Sequence, residues 1–360
     1  MKVPFLDMAA RYRPYRDRMH DVLDRVLDHG QAVLGPEVEA FERAVARYVG
    51  CGHAIAVGNG TDALVLGLKA LGVTSGEVIT TPMSYLASTS AIVLAGATPV
   101  FADVGADLNL SVDAVARAIG PASRAILVVH LAGNPAAMRE FQTLARRHAL
   151  YLIEDCAQAF GAEIGAKVGN LGDIGAVSFH PLKTLGAVGD AGAIFTNSER
   201  VATHLRMARN HGHSSREQCE FWSVNSRLDA LQAGFLLAMM EDIDSVLEHR
   251  RRQAKRYIEG LTGVVQFPAV NHGAKPSYNF MYILASRRDD LRAFLAIQGI
   301  DTRIHYPIPI HRLESARGLA AGPIPNADAF TDQLLSLPLG THLVDSQIDH
   351  VIESIRRFHD

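Results

Sequence analysis

Lys183 and Asp155 carry opposite charges in surroundings suited to chemistry. Lys183 lies in SFHPLKTLGAVGDAGA (Ser178–Ala193), which has glycines at 186, 189 and 192. Asp155 closes the run YLIED, Tyr151–Asp155. A lysine amine forms a Schiff base with an aldehyde, and an aldehyde cofactor built on a pyridine ring needs an acidic partner for its nitrogen. An anion beside that nitrogen keeps it protonated, so the ring accepts electrons. Pyridoxal phosphate fits that description. Taken alone, a loop lysine and a strand-end aspartate are more often a solvated side chain and a helix cap, so the surrounding sequence must decide.

That sequence supplies elements able to position the pair. Tyr151–Ile153, Ala176–Phe179 and Ala193–Thr196 are apolar runs of strand length, and glycines bound the latter two. His53–Val57 reads as another strand, followed at once by Gly58-Asn59-Gly60-Thr61-Asp62 and an apolar helix from Ala63 to Leu71. A strand, a glycine turn and a helix start make an anion site, because free backbone N–H groups and the helix dipole favour negative charge. The Thr61 hydroxyl adds a donor. Further strands are expected at Val78–Thr81, Thr98–Phe101 and Ala125–Val129, with helices between them. Alternation of this kind predicts a mostly parallel α/β sheet covered by helices on both faces, with ligands at the carboxyl ends of the strands. Gly60, Tyr85, His130, Asp155 and Lys183 all fall there. Tyr85 has the flat face needed to stack on an aromatic cofactor.

Earlier in the chain, Met19, Val22, Leu23, Val26 and Leu27 form a helical stripe closed by Gly30, and a second helix runs from Pro36 to a stop at Gly50. After Asn197 the texture turns helical. The apolar stretch Arg227–Met240 is expected to run on into a long charged helix. A division near Asp244 gives a large domain over residues 1–244 and a smaller α+β C-terminal domain over 245–360. The latter has a strand at Tyr278–Leu284, a helix near Asp289–Gln298, the segment RIHYPIPIH (Arg303–His311) and a closing amphipathic helix at Ile348–Phe358.

The composition narrows the possible partners. The chain has 360 residues, a net charge of −3 and 48% hydrophobic residues, an ordinary globular balance with no basic footprint for nucleic acid. No run is long and apolar enough for a membrane span, and no targeting segment opens the chain, so a cytoplasmic protein is expected. Cys51, Cys156 and Cys219 are odd in number and widely spaced. They suggest neither a disulfide framework nor a zinc site, and no histidine pattern indicates a metal.

Seven motifs then occur in order: GNGTDAL, GATPVF, EDCAQAFGA, SFHPLKTLGAVGDAGA, NHG (Asn210–Gly212), NSRLD (Asn225–Asp229) and IHYPIP (Ile304–Pro309). With them the chain resembles, over nearly its full length, the DegT/StrS sugar-nucleotide aminotransferases, which have the aspartate-aminotransferase type of fold. The resemblance implies that Lys183 carries pyridoxal phosphate as a Schiff base and Asp155 pairs with its ring nitrogen. Gln158 contacts the ring's phenolic oxygen, while Gly60, Thr61 and Ser178 bind the phosphate. Tyr85, where the family usually has phenylalanine, stacks on the ring. Asn225 reaches the phosphate of a neighbouring subunit's cofactor, which implies a homodimer with shared active sites.

The implied reaction moves an amino group from L-glutamate, through the pyridoxamine phosphate form, to a keto sugar nucleotide. IHYPIPIH resembles the branch acting on dTDP- or UDP-linked 3-keto hexoses, with His305, Tyr306 and His311 on the substrate. Amination of 4-keto sugars or keto-inositols, or a catalytically idle regulator, are the alternatives. Relatives with histidine in place of Lys183 run a dehydration instead. Cys156 replaces a common alanine and reads as a small buried residue. Asn279 stands where the family often has histidine.

Overall fold

The computed structural model describes residues 1–319 and 323–360. Seven strands form its main sheet: β1 (His53–Val57), β2 (Glu77–Thr80), β3 (Thr98–Phe101), β4 (Ser123–Val129), β5 (Tyr151–Asp155), β6 (Ile174–Ser178) and β7 (Gly192–Thr196). Their spatial order is β1-β7-β6-β5-β4-β2-β3. Strand β7 runs antiparallel to both of its neighbours, and the other pairings are parallel. The sheet is therefore mostly parallel, as the alternating pattern predicts.

Both faces of the sheet are buried, and side-chain alternation along each strand assigns the layers. On β1, Ala54 and Ala56 join Phe41, Phe179 and Phe195 on one face, while Ile55 and Val57 join Leu64 and Leu66 on the other. On β4, Leu127 and Val129 pack with the second group, and Ile126 and Val128 meet Phe141 and Met138. Strands covered in this way must be continuously apolar, which is why they stand out in the sequence.

The helices that frame the site are α1 (Arg16–His29), α2 (Pro36–Val49), α3 (Gly60–Ala70), α4 (Ala87–Ala95), α5 (Ala230–Met240) and α6 (Ile243–Leu261). Helices α1 and α2 end where their glycines predict, since Gly30 (φ 71°) and Gly50 (φ 84°) take the left-handed conformation of a C-cap. Leu27, counted in the apolar stripe of α1, is nevertheless 69% exposed. The stretch from Arg227 does not run on as one helix. It is extended as far as Asp229, and α5 stops at Met240 before α6 begins at Ile243. Arg18 binds the carboxylates at this break, Glu241 at 2.7 Å and Asp242 at 2.8 Å.

Ile243 and Leu247 of α6 belong to the core under the sheet. Ala254, Tyr257 and Leu261 of the same helix belong to a second core. This second core holds β8 (Met281–Leu284), its antiparallel partner β9 (Leu334–Leu337), the closing helix α7 (Asp345–His359) and, from the other end of the chain, Val3. Strand β8 is shorter than the sequence suggests because Tyr278 is left-handed (φ 48°) and cannot extend a strand. No described helix is long and apolar enough to cross a membrane.

Candidate active site

Strand β5 ends in two carboxylates that face different surroundings. Glu154 is fully buried and its hydrogen-bonding capacity is taken. Its oxygens accept the backbone N–H groups of Gly169, Leu171 and Gly172 at 2.7–2.9 Å, and His130 Nε2 lies 3.1 Å away. His130 Nδ1 accepts the Ala136 N–H, which fixes the proton on Nε2. Cys156 shares this interior, and burial beside two carboxylates raises its thiol pKa, so it stays a protonated apolar group. His130, Glu154 and Cys156 lie within 4.8 Å of one another, but the Glu154 oxygens are already occupied by N–H donors. His130 falls at a strand end as expected, and its work there is structural.

Asp155 points the other way, along the opposite side-chain direction of the strand. It is 5% exposed and accepts two hydrogen bonds, from the Ala157 N–H at 3.0 Å and from Ser88 Oγ at 2.7 Å. Ser88 Oγ lies 2.8 Å from Ser84 Oγ. Both serines lie in the SYLAS stretch that enters α4, and neither is singled out by sequence reasoning. The one available signal is that a hydroxyl buried at a helix start must find a partner.

Lys183 lies on the loop after β6, buried and within the electrostatic field of this carboxylate. Burial lowers the pKa of its amine, and the charge of Asp155 opposes that shift. The pull towards the neutral form makes Nζ a better nucleophile and base. Arg11, also absent from the sequence reading, holds the loop from behind. Its guanidinium donates to the carbonyls of Pro181 (2.8 Å), Lys183 (2.6 Å) and Thr184 (3.0 Å), and the Tyr12 hydroxyl donates to the Ala187 carbonyl at 2.8 Å.

The anion corner forms at the start of α3. Asn59 caps the helix by accepting the Asp62 N–H, which leaves the first-turn N–H groups of Gly60 and Thr61 outside the helix ladder. Gly60 is required by space, because a Cβ there would come 2.7 Å from Ser178 Cβ. Ser178 and the turn are thus adjacent. Ser226 Oγ fastens the turn, donating to Asp62 at 2.6 Å and accepting the Gly58 N–H at 3.1 Å. Asn225, next to Ser226, is exposed.

Gln158 bridges the remaining parts. Its Oε1 accepts the Ala132 N–H at 2.7 Å, and its Nε2 donates to the Tyr306 hydroxyl at 3.1 Å. The Tyr306 ring centroid lies 5.8 Å from that of Tyr85, which is 53% exposed. His305 sits behind this wall: its ring stacks on Phe280 at 4.0 Å and its Nδ1 lies 2.9 Å from Ser336 Oγ. Burial, with help from the charges of Lys183 and Arg303, pushes the His305 pKa down to about 4. The structure does not bring His311 into this group. Its Nε2 meets Asp328 at 3.0 Å, and Arg312 shares that carboxylate at 2.8 Å. Asn279 is buried and accepts from the Thr184 hydroxyl at 3.4 Å.

The arrangement combines an amine of lowered pKa, a buried carboxylate held by two donors, a helix-start corner beside Ser178 and an exposed aromatic side chain. These groups fit pyridoxal phosphate. The model of the DegT/DnrJ/EryC1/StrS aminotransferase family matches residues 15–356. The chain belongs to this family.

It is accordingly a pyridoxal-phosphate-dependent aminotransferase. It is 40% identical over 364 residues to the dTDP-3-amino-3,4,6-trideoxy-alpha-D-glucose transaminase of Streptomyces venezuelae, covering 99% of this chain and 96% of that protein. It is 37% identical to the UDP-N-acetyl-3-dehydro-alpha-D-glucosamine 3-aminotransferase of Acidithiobacillus ferrooxidans, covering 99% and 97%. The crystal structure of S. venezuelae DesV in complex with a ketimine intermediate superposes with a TM-score of 0.97 at 40% identity, covering 100% of this chain and 99% of that one. The family's fold is therefore the fold described above.

Proposed function

We propose that the chain transfers an amino group from L-glutamate to a nucleotide-linked 3-keto hexose. The placement of buried Lys183 in the field of Asp155, at the sheet's carboxyl edge, carries this reading. The choice of a 3-keto sugar rests on its relatives, one named for a 3-amino sugar and one for a 3-dehydro sugar.

Pyridoxal phosphate, when bound, supplies a carbonyl that takes up the amino group and a ring that accepts electrons. Lys183 holds it through Nζ. Asp155, oriented by Ser88 and the Ala157 N–H, would face the ring nitrogen and favour a proton there. The N–H groups of Gly60 and Thr61, with the hydroxyls of Thr61 and Ser178, bind its phosphate. Tyr85 covers one ring face, and Gln158 meets the phenolic oxygen. Once released, Lys183 Nζ takes the α-proton from the amino donor and, in the second half of the cycle, delivers a proton to the sugar carbon that gains nitrogen. Tyr306, fixed by Gln158, faces the substrate, with His305 as its neutral backing.

The same reading assigns a homodimer. Val188, on the lysine loop, lines an open surface groove with Tyr12, Met19 and Phe235, and Trp222 is 96% exposed. Apolar groups of this size favour a covering surface. A second copy supplies one and brings Asn225 to its partner's phosphate. We place the start of the smaller C-terminal unit at 245, within the helix that changes core along its length. The three free cysteines suit a reducing compartment such as the cytoplasm.

The test is turnover of dTDP- and UDP-linked 3-keto and 4-keto hexoses and of keto-inositols, with L-glutamate as donor. A preference for a 3-keto nucleotide supports the assignment. Preference for a 4-keto sugar or an inositol overturns the regiochemistry. The absence of turnover with every acceptor overturns the substrate class.

A further inference from the structure

Behind the lysine loop lies a second cavity, separate from the site above. Its walls include Asp7, Arg11, Thr184, Arg250, Thr341 and His342, and the space open to a water-sized body is about 30 Å³. Two arginines, Arg11 and Arg250, line it. Arg250 is 6% exposed and donates from Nη1 to the Tyr278 carbonyl at 3.0 Å, while its buried Nε has no partner. Among the described residues Arg11 donates only to the three loop carbonyls. Among the described residues no carboxylate oxygen lies within 4.0 Å of either group.

Buried charges are ordinarily paired. Asp7, the carboxylate in the wall, is engaged in capping by the Ala10 N–H at 2.9 Å. His342 lies 3.3 Å from the Pro4 carbonyl, and burial lowers its pKa, favouring a neutral ring that adds no further cation. Burial and the charge of Arg11 push the Arg250 pKa down to about 9, far below that of an arginine in water. The cavity thus has two cations, a free donor and room for one small guest.

We propose that this cavity binds a small monovalent anion of chloride size, whose charge is shared by Arg250 and Arg11. The site is absent from the reaction scheme and couples to it through structure: the guanidinium that faces the anion also holds the carbonyls on either side of Lys183. An anion there steadies Arg11 and, through it, the loop that presents the amine.

Two experiments on the full chain with cofactor bound test the proposal. The first soaks crystals in sodium bromide and locates bromide by anomalous scattering. A peak between Arg11 and Arg250 is expected, and its absence overturns the proposal whatever the variants do. The second compares melting in sodium chloride and in sodium gluconate at fixed ionic strength. A saturable rise of about 2–5 °C with chloride is expected in the wild type. Arg250→Met should abolish it and Arg250→Lys should retain part. Equal melting in the two salts would mean binding at crystal concentration only, and would also overturn the proposal.

Discussion

The carboxyl edge of the main sheet and the segment Arg303–His311 both carry residues expected to do chemistry, yet the fold treats them differently. At the sheet edge, Gly60, Tyr85, Gln158, Ser178 and Lys183 fall on the same carboxyl side as Asp155, because parallel strands deliver their ends to one edge. In the segment, three residues with similar credentials separate. Tyr306 enters the site, His305 packs behind it on Phe280, and His311 turns to Asp328. Topology positions a strand-end residue, whereas a loop residue is positioned by whichever neighbour meets it.

If that contrast is sound, substitutions at the edge should cost chemistry, and those in the segment should cost progressively less. Lys183→Ala comes first, with turnover expected below about 10⁻⁴ of wild type. Incubation with L-glutamate in deuterated water should then give no exchange at the α-carbon, and normal multiple turnover would sink the assignment. Next, Asp155→Asn should lower kcat by about 10²–10³-fold with little change in melting. Its neighbour sharpens the point. Glu154→Gln should lower the melting temperature first, because three backbone N–H groups and His130 depend on that carboxylate. Equal catalytic losses at 154 and 155 would erase the distinction drawn between them.

Smaller effects are expected in the segment. Tyr306→Phe removes the hydroxyl that Gln158 contacts, a loss of about 1 kcal/mol, and should reduce kcat/KM by about 5–10-fold. His305→Phe should act on acid stability. With its folded pKa at about 4, below the ordinary value of about 6.5, the neutral ring favours the fold. That contribution is complete above about pH 6.5 and is lost as the pH falls towards 4. The variant should therefore flatten the stability curve over that interval, as read by denaturant unfolding. His311→Ala should change kcat/KM by less than about threefold and stability by less than about 1 kcal/mol, since Arg312 still holds Asp328. A large activity loss at 311 would return it to the substrate site.

The same contrast explains what could be read from the residues. Strands β1 and β3 have the expected bounds; β1 is a continuous apolar run with little ambiguity, and β3 is a short apolar run at the sheet edge. The break between α5 and α6 was not legible. It depends on Arg18, more than two hundred residues away, meeting Glu241 and Asp242. Ser88 and Arg11 escaped notice for a similar reason. Ser88 looks like any helix-start serine until β5 brings Asp155 beside it, and Arg11 looks like a surface cation until the lysine loop folds over it. His130 shows the reverse case, a residue in the right place for chemistry whose ring is occupied by Glu154 and Ala136. The motifs identified the family, but the partners of each side chain required the fold.

The most direct test of the central claim is the visible absorption spectrum of the purified protein supplied with pyridoxal phosphate, recorded before and after L-glutamate and again after a 3-keto sugar nucleotide. The account predicts a yellow band that bleaches with glutamate and returns with the sugar, and that is missing from Lys183→Ala. A wild-type protein that stays colourless with the cofactor, or whose band ignores both glutamate and the sugar, would contradict it.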